Sequence, residues 1–255
     1  MQPSRIAIVT AGGPHVWIIV NAIRDRLGEA TVILEDPESK KRLLLRRARK
    51  LGWIEVAGQL GTMVFTRLRK LFLSSRDQRS IAGDGAETEL GADIPVVRVA
   101  SADSPELADT VRGMQAEVVL LAGCRLLSKE TLAAISCPVL NYHAGITPKY
   151  RGMNGGYWSL ATGDAGNFGT TVHLVDAGVD TGDVLHQVRG KPERGDNLTN
   201  YALRLAVMSR EICIKGVEDA LDGRLKPVTP DLPSKQWYHP TVWFYLWTGL
   251  TKGVW

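Results

Sequence analysis

Ile6-Ala7-Ile8-Val9-Thr10 is a short β-branched run that ends at Gly12-Gly13-Pro14 and gives way to helical periodicity from Val16 to Leu27. Strand, glycine turn and helix in that order open a doubly wound α/β sheet. The same rhythm continues outward. Thr31-Val32-Ile33-Leu34 reads as a second strand, Ile94 to Val99 and Glu117 to Ala122 as later ones, and Pro138 to Asn141 as a further one. Strands this uniformly apolar belong in a mostly parallel, Rossmann-like sheet covered by helices on both faces. Ser104-Pro105-Glu106 sets a capping oxygen ahead of a proline at the first helical position, and Ser128 caps a shorter helix.

Beyond Asn141 the character changes. Gly and aromatic residues crowd Ala144 to Tyr157, a helix is expected over Met153–Ala161, and Gly169 to Val175 alternates as a strand with Val184 to Arg189 as its partner. Asn197 to Leu221 has the length and period of a long helix. The tail beyond Arg224 holds Trp237, Trp243, Trp247 and Trp255, four of the seven tryptophans. Between Leu34 and Ile94 the chain is too long for a simple crossover. Its first half is helical and basic, with Lys40, Lys41, Arg42, Arg46, Arg47, Arg49 and Lys50 around Leu43-Leu44-Leu45, and an apolar stretch follows from Val56 to Phe72. Ser74 to Gly91 reads as a loop. The expected organisation is one domain over 1–223 with a helical basic insertion at about 37–92, then a short aromatic C-terminal extension, 224–255.

The 255 residues are 44% hydrophobic and 23% charged, which suits a globular chain with a full core and excludes collagen-like or largely disordered classes. Cys124, Cys137 and Cys213 form no C-x-x-C pair, so neither a metal knuckle nor a disulfide framework is supported. No apolar run is long enough to span a bilayer, and no leader pattern precedes the first strand. A cytoplasmic protein is the expectation.

The densest chemistry lies in Asn141-Tyr142-His143, Pro148-Lys149-Tyr150-Arg151-Gly152, Gly169-Thr170-Thr171-Val172-His173 and Asp176-Ala177-Gly178-Val179-Asp180-Thr181-Gly182. Asn141 and His143 fall at the C-terminal end of a strand, where open α/β sheets place ligands. Being two apart, they point to the same side. An amide N–H and a protonated imidazole together stabilise an oxyanion. Asp180, in a glycine-flanked loop, can pair with His143 or position a relaying water. No nucleophile accompanies them, since no G-x-S-x-G elbow exists. The set suits direct attack of an amine on an acyl donor.

These four motifs together resemble the catalytic domain of the 10-formyltetrahydrofolate-dependent formyltransferases, over roughly Ile94 to Gln187. The resemblance implies a catalytic trio of Asn141, His143 and Asp180, the first two holding the oxyanion on the formyl carbon. It implies that Cys124, Arg125, Leu126 and Leu127 bind the pterin through main-chain groups and that the loop from Val175 through Asp176, Ala177 and Gly178 to Val179 closes the other side. Gly12, Gly13, Lys149, Arg151 and His173 are the candidate acceptor-binding residues. The co-substrate implied is 10-formyltetrahydrofolate, with no metal. One departure stands out: where the family reads His-x-Ser-Leu-Leu-Pro, this chain has His143-Ala144-Gly145-Ile146-Thr147-Pro148.

Plainer readings stand beside these. His173 suits a wall histidine as well as a substrate contact, and Asp176 a turn. His15 after Gly12-Gly13-Pro14 reads as a structural turn, with phosphate binding at the helix N-terminus the alternative. The Lys40–Lys50 run is ordinarily a solvated face. It could instead contact RNA, an anionic membrane surface or a phosphorylated substrate, and its interleaved leucines add weight to the peripheral membrane contact. The aromatic tail is expected to cover the core or a homodimer partner, with a sugar- or base-stacking platform as the alternative. The acceptor expected is a small-molecule amine, best a nucleotide-linked amino sugar. About 30 residues after Arg224 are too few for the barrel that holds tRNA, so no nucleic acid partner is expected. The alternatives are glycinamide ribonucleotide or another small amine, or water, which would make the protein a hydrolase of the same folate.

Overall fold

A computed structural model of the chain describes residues 3–38, 40–72, 83 and 86–255. Seven strands form one sheet: β1 Ile6–Thr10, β2 Thr31–Glu35, β3 Val96–Val99, β4 Val118–Ala122, β5 Val139–His143, β7 Gly169–Leu174 and β8 Val184–Arg189. Their spatial order is β3-β2-β1-β4-β5-β7-β8, and the first five run parallel. β7 lies antiparallel to β5, and β8 antiparallel to β7. The α/β, mostly parallel sheet read from the apolar runs is therefore the architecture observed.

Alternation along β1 shows why both faces are covered. Ile6 and Ile8 join one apolar cluster with Val16, Ile19 and Ile23 of α1 (Pro14–Leu27) and Ala206, Cys213 and Val217 of α7 (Tyr201–Leu221). Ala7 and Val9 join another, with Leu107 and Val111 of α4 (Pro105–Gly113) and with Ile135 just after α5 (Lys129–Ala133). Successive side chains on a strand point to opposite faces, so a strand that is apolar throughout needs a helix on each side. Each fully buried isoleucine contributes about 1.5–3 kcal/mol.

Several boundaries differ from the sequence reading for identifiable reasons. α1 begins at Pro14, which needs no N–H at the first helical position, and ends where Gly28 enters the left-handed region and donates to Arg24 O. Ser104 does precede α4, but its side chain makes no cap; the hydroxyl donates backwards to Ser101 O at 2.8 Å. Ser128 caps as expected, accepting from Thr131 N. The helix expected from Met153 is α6, Gly155–Ala161, because Asn154 sits in the left-handed region at φ 58°. The helix expected from Asn197 starts at Tyr201. The sequence-read loop Ser74–Gly91 lies largely outside the described residues.

The insertion contains α2 (Lys40–Leu51) and α3 (Trp53–Phe72), and the tail contains β9 (Gln236–Trp237) and α8 (Val242–Lys252). Insertion and tail pack on each other. Thr62 Oγ1 of α3 donates to Pro240 O at 2.8 Å, and the Phe65 and Tyr245 rings meet edge to face at 5.9 Å. β9 pairs with β6 (Arg151–Gly152), which carries the tail back to the ends of β4 and β5.

Candidate active site

A cleft of about 860 Å³ opens at the C-terminal ends of β4 and β5, beside the point where the strand order reverses. Asn141 and His143 project from β5 on one face of the sheet. Cross-strand register sets His173 of β7 opposite Asn141. Asp180 reaches the same point from the β7–β8 loop, at φ 50°, a left-handed conformation unusual for a residue with a Cβ.

Asp180 is the centre of the cluster. Its Oδ1 accepts from Asn141 Nδ2 at 3.1 Å and lies 3.5 Å from His173 Nε2. Oδ2 accepts the Gly152 N–H at 2.8 Å and lies 3.4 Å from His143 Nδ1. Burial alone would raise this carboxyl. The opposing charge of His143, the His173 contact and the Gly152 N–H together hold it well below the usual carboxylate range, so it is ionised at neutral pH.

Hydrogen-bond chemistry assigns the ring protons. His143 Nε2 is 2.6 Å from the Tyr150 carbonyl, which only accepts, so Nε2 carries a proton and Nδ1 is left facing the carboxylate. His173 Nδ1 donates to Leu174 O at 2.7 Å, and its Nε2 lies 3.1 Å from Asn141 Nδ2 and 3.5 Å from Asp180 Oδ1. His173 therefore sits against both the Asn141 amide and the Asp180 carboxylate.

Two loops close the walls. Cys124, Arg125, Leu126 and Leu127 follow β4 and line one side. Burial, then Glu35, pushes the Cys124 thiol up to about 12, which removes it as a nucleophile. Arg125 is pinned from below: its Nε pairs with buried Glu35 at 3.1 Å and its backbone N–H donates to the same carboxylate. Opposite, Val175, Asp176, Gly178 and Val179 line the cleft, while Ala177 is exposed and outside it. Asp176 shapes its own turn, accepting from Gly178 N at 3.0 Å and Thr181 Oγ1 at 2.6 Å.

Gly12, Gly13, Lys149 and Arg151 do not line the cleft. The glycines form the turn into α1, both at positive φ. Lys149 pairs with Asp164 at 2.6 Å, and Arg151 donates to Val179 O at 2.9 Å, bracing the loop that carries Asp180. Other lining residues lie outside the candidate set read from the sequence, which left the basic run and the aromatic tail unplaced. Gln236, Trp237 and Tyr238 come from the tail, and Arg47, Lys50 and Leu51 from α2. Trp237 stacks on Trp158 at 4.5 Å, and Lys50 Nζ lies 5.6 Å from the Tyr238 ring. The density of tryptophan in the tail was the available signal; its place at the cleft depends on the pairing of β9 with β6.

Among the described residues no cluster of His, Cys, Asp and Glu is arranged to hold a metal ion. An apolar-walled cleft of this size with a few convergent polar groups does fit a folate-sized co-substrate.

The chain is 26% identical over 157 residues to the methionyl-tRNA formyltransferase of Solibacter usitatus, covering 61% of this chain and 50% of that one, so it spans half the length of that relative. The fold matches glycinamide ribonucleotide transformylase 1 of Symbiobacterium toebii at TM-score 0.57 and 20% identity, over 89% of this chain and 95% of that one. It also matches an N-formyltransferase of Helicobacter canadensis, solved with folinic acid and dTDP-3-aminofucose, at TM-score 0.56 and 14% identity, over 92% and 70% of the two chains. The sequence model described as formyl transferase matches residues 6–217, and with this fold and this cleft the chain belongs to the formyl transferase family.

Proposed function

We propose that the cleft transfers a formyl group from 10-formyltetrahydrofolate to a primary amine on a nucleotide-linked amino sugar. The observation that carries the reaction is the meeting of Asn141, His143 and Asp180 on one wall of a folate-sized cleft with no competent nucleophile beside them. Bound there, 10-formyltetrahydrofolate supplies the formyl group and is left as tetrahydrofolate.

The chain's own groups have distinct tasks. Leu126, Leu127 and Val175 offer apolar walls for the pterin ring, and Val179 flanks the loop end that presents Asp180. Asn141 Nδ2 and His143 Nδ1 are the donors for negative charge developing on the formyl oxygen, an interaction worth about 3–4 kcal/mol per donor in comparable sites. In the free protein both face Asp180, so the carboxylate holds them aligned. His173 and Tyr150 O fix the far sides of the amide and the ring. Asp180, ionised and next to both, is placed to relay, through a water, the proton that the attacking amine loses to N10 of the folate, so that the C–N10 bond breaks and tetrahydrofolate leaves with its N–H restored.

The cleft's edge supports the acceptor class. Trp237 and Tyr238 line this edge with aromatic rings, and Arg47 and Lys50 with cations, which suits a sugar joined to a nucleotide diphosphate. The Helicobacter relative with its bound dTDP-3-aminofucose supports the same reading. The sequence relatives that act on methionyl-tRNA support a second reading, a tRNA-borne amine.

The test is incubation with 10-formyltetrahydrofolate and nucleotide-linked 3-amino and 4-amino sugars, glycinamide ribonucleotide, methionyl-tRNA or no amine, read by mass spectrometry. A formyl mass gain on an amino-sugar nucleotide is the expected result. Gain on methionyl-tRNA alone overturns the acceptor. Folate release at the same rate without any amine overturns transfer in favour of hydrolysis.

A further inference from the structure

Helix α3 turns an apolar stripe outward. Trp53, Ala57, Leu60, Val64 and Leu68 recur at helical spacing and so share one stripe. That stripe faces away from the protein, with Trp53 66%, Val64 58% and Leu68 52% exposed. The side against the body holds Val56 at 2% together with polar Gln59 and Thr62, at 4% and 1%. A surface helix of a soluble domain ordinarily does the reverse.

Helix α8 extends the same surface. Trp243, Trp247 and Leu250 fall on one face, all at least half exposed or close to it. The Trp243 ring lies over Gly58 of α3 so closely that a Cβ there would come within 2.3 Å of it. The two stripes thus join into one apolar face, of the kind that marks a partner surface.

Charge identifies the partner. Residues 40–72 carry ten Lys and Arg against the single acid Glu55, a net +9 in a chain whose total is +4, so the remainder is −5. Residues 242–255 add Lys252 and no acid. Tryptophan and leucine exposed on helices whose sequence is this rich in cations is the composition of a segment lying in the headgroup region of an anionic bilayer. A second copy of the chain would bring the same +9 to the interface, and an RNA would find few hydrogen-bonding groups on the stripe. No helix among the described residues is long and apolar enough to cross a membrane, so contact is peripheral.

We propose that the outer faces of α3 and α8 form a docking surface for an anionic lipid bilayer. α2 links this surface to the cleft, since Arg47, Lys50 and Leu51 on it line the cleft wall. The proposal does not depend on which amine the cleft accepts.

The test is co-sedimentation of the full chain with vesicles of phosphatidylcholine alone or mixed equally with phosphatidylglycerol, at low and high salt. Partitioning at least about tenfold stronger onto the anionic vesicles, weakened by salt, is expected. Brominated lipid should quench part of the tryptophan fluorescence. Val64→Glu and Leu250→Glu, both at exposed positions, should each reduce partitioning about tenfold without lowering the thermal midpoint. Failure to bind the anionic vesicles, or binding that both variants leave intact, overturns the proposal. So does a dimer by light scattering that Val64→Glu splits, which would make a second copy the occupant.

Discussion

Gly152 N–H donates to Asp180 Oδ2 at 2.8 Å, tying a two-residue strand on one side of the cleft to a carboxylate carried by the loop on the other. The tie is mutual. It gives Asp180 part of its depressed pKa, and it gives the short β6–β9 pair a fixed partner.

Because the Asp180 carboxyl lies below its ordinary 3.8 in the folded chain, its contribution to stability is complete above that value and is lost as pH falls below it. Asp180→Asn should cost about 1.5–3 kcal/mol at neutral pH, the range for hydrogen bonds to a charged group. It should also flatten the stability profile below about pH 4. Urea unfolding followed by tryptophan fluorescence across a pH series measures both.

Asn141→Ala and His143→Ala should each lower turnover at least about 100-fold with a smaller change in KM, since each removes a donor that matters most as charge develops. The double variant should lose less than the product of the two, because both donors are aligned by one carboxylate. Steady-state kinetics with the accepted amine decide this. Normal turnover in either single variant would refute the assignment of donor roles.

Gly145 is packed against the catalytic histidine's anchor. A Cβ there would lie 2.5 Å from the Tyr150 carbonyl oxygen and 2.7 Å from His143 Nε2, the two atoms that bond to each other at 2.6 Å. Gly145→Ala, and equally the Gly145→Ser that restores the related motif, should cost about 1–3 kcal/mol through overpacking. Turnover should fall as His143 loses its orientation. Thermal melts and kinetics on the two variants check the pair of effects.

His239, buried near Arg47, is held down to about 4 by burial first and then by that cation. Asn154 Nδ2 donates to its Nδ1 at 2.9 Å, which the neutral ring accepts. Its folded value lies below the ordinary 6.5, so its stabilising effect is complete above 6.5 and is lost as pH falls toward 4. His239→Gln should remove up to about 3 kcal/mol of pH dependence in that window. Unchanged slope in denaturant titrations between those limits would contradict it.

Local sequence carried much of this molecule. Runs such as Ile6–Thr10 and Val118–Ala122 announce strands buried on both faces because each residue's neighbours already declare its environment. Asn141 and His143 were legible for the same reason, since two positions apart on a strand is one direction in space.

Other features have no local trace. That Gly152 meets Asp180, that Trp237 and Tyr238 wall the cleft, and that Arg151 braces the Val179 loop all depend on contacts between segments 28 to 85 residues apart. The β6–β9 pair is two residues long on each side, too short to leave a period in the sequence. α3 makes the point most sharply. Its apolar spacing announces a helix, yet the usual rule would turn Leu60 and Val64 inward, and Gln59 and Thr62 lie there instead. Periodicity establishes that a stripe exists; which neighbour covers it is settled by what the rest of the fold leaves exposed.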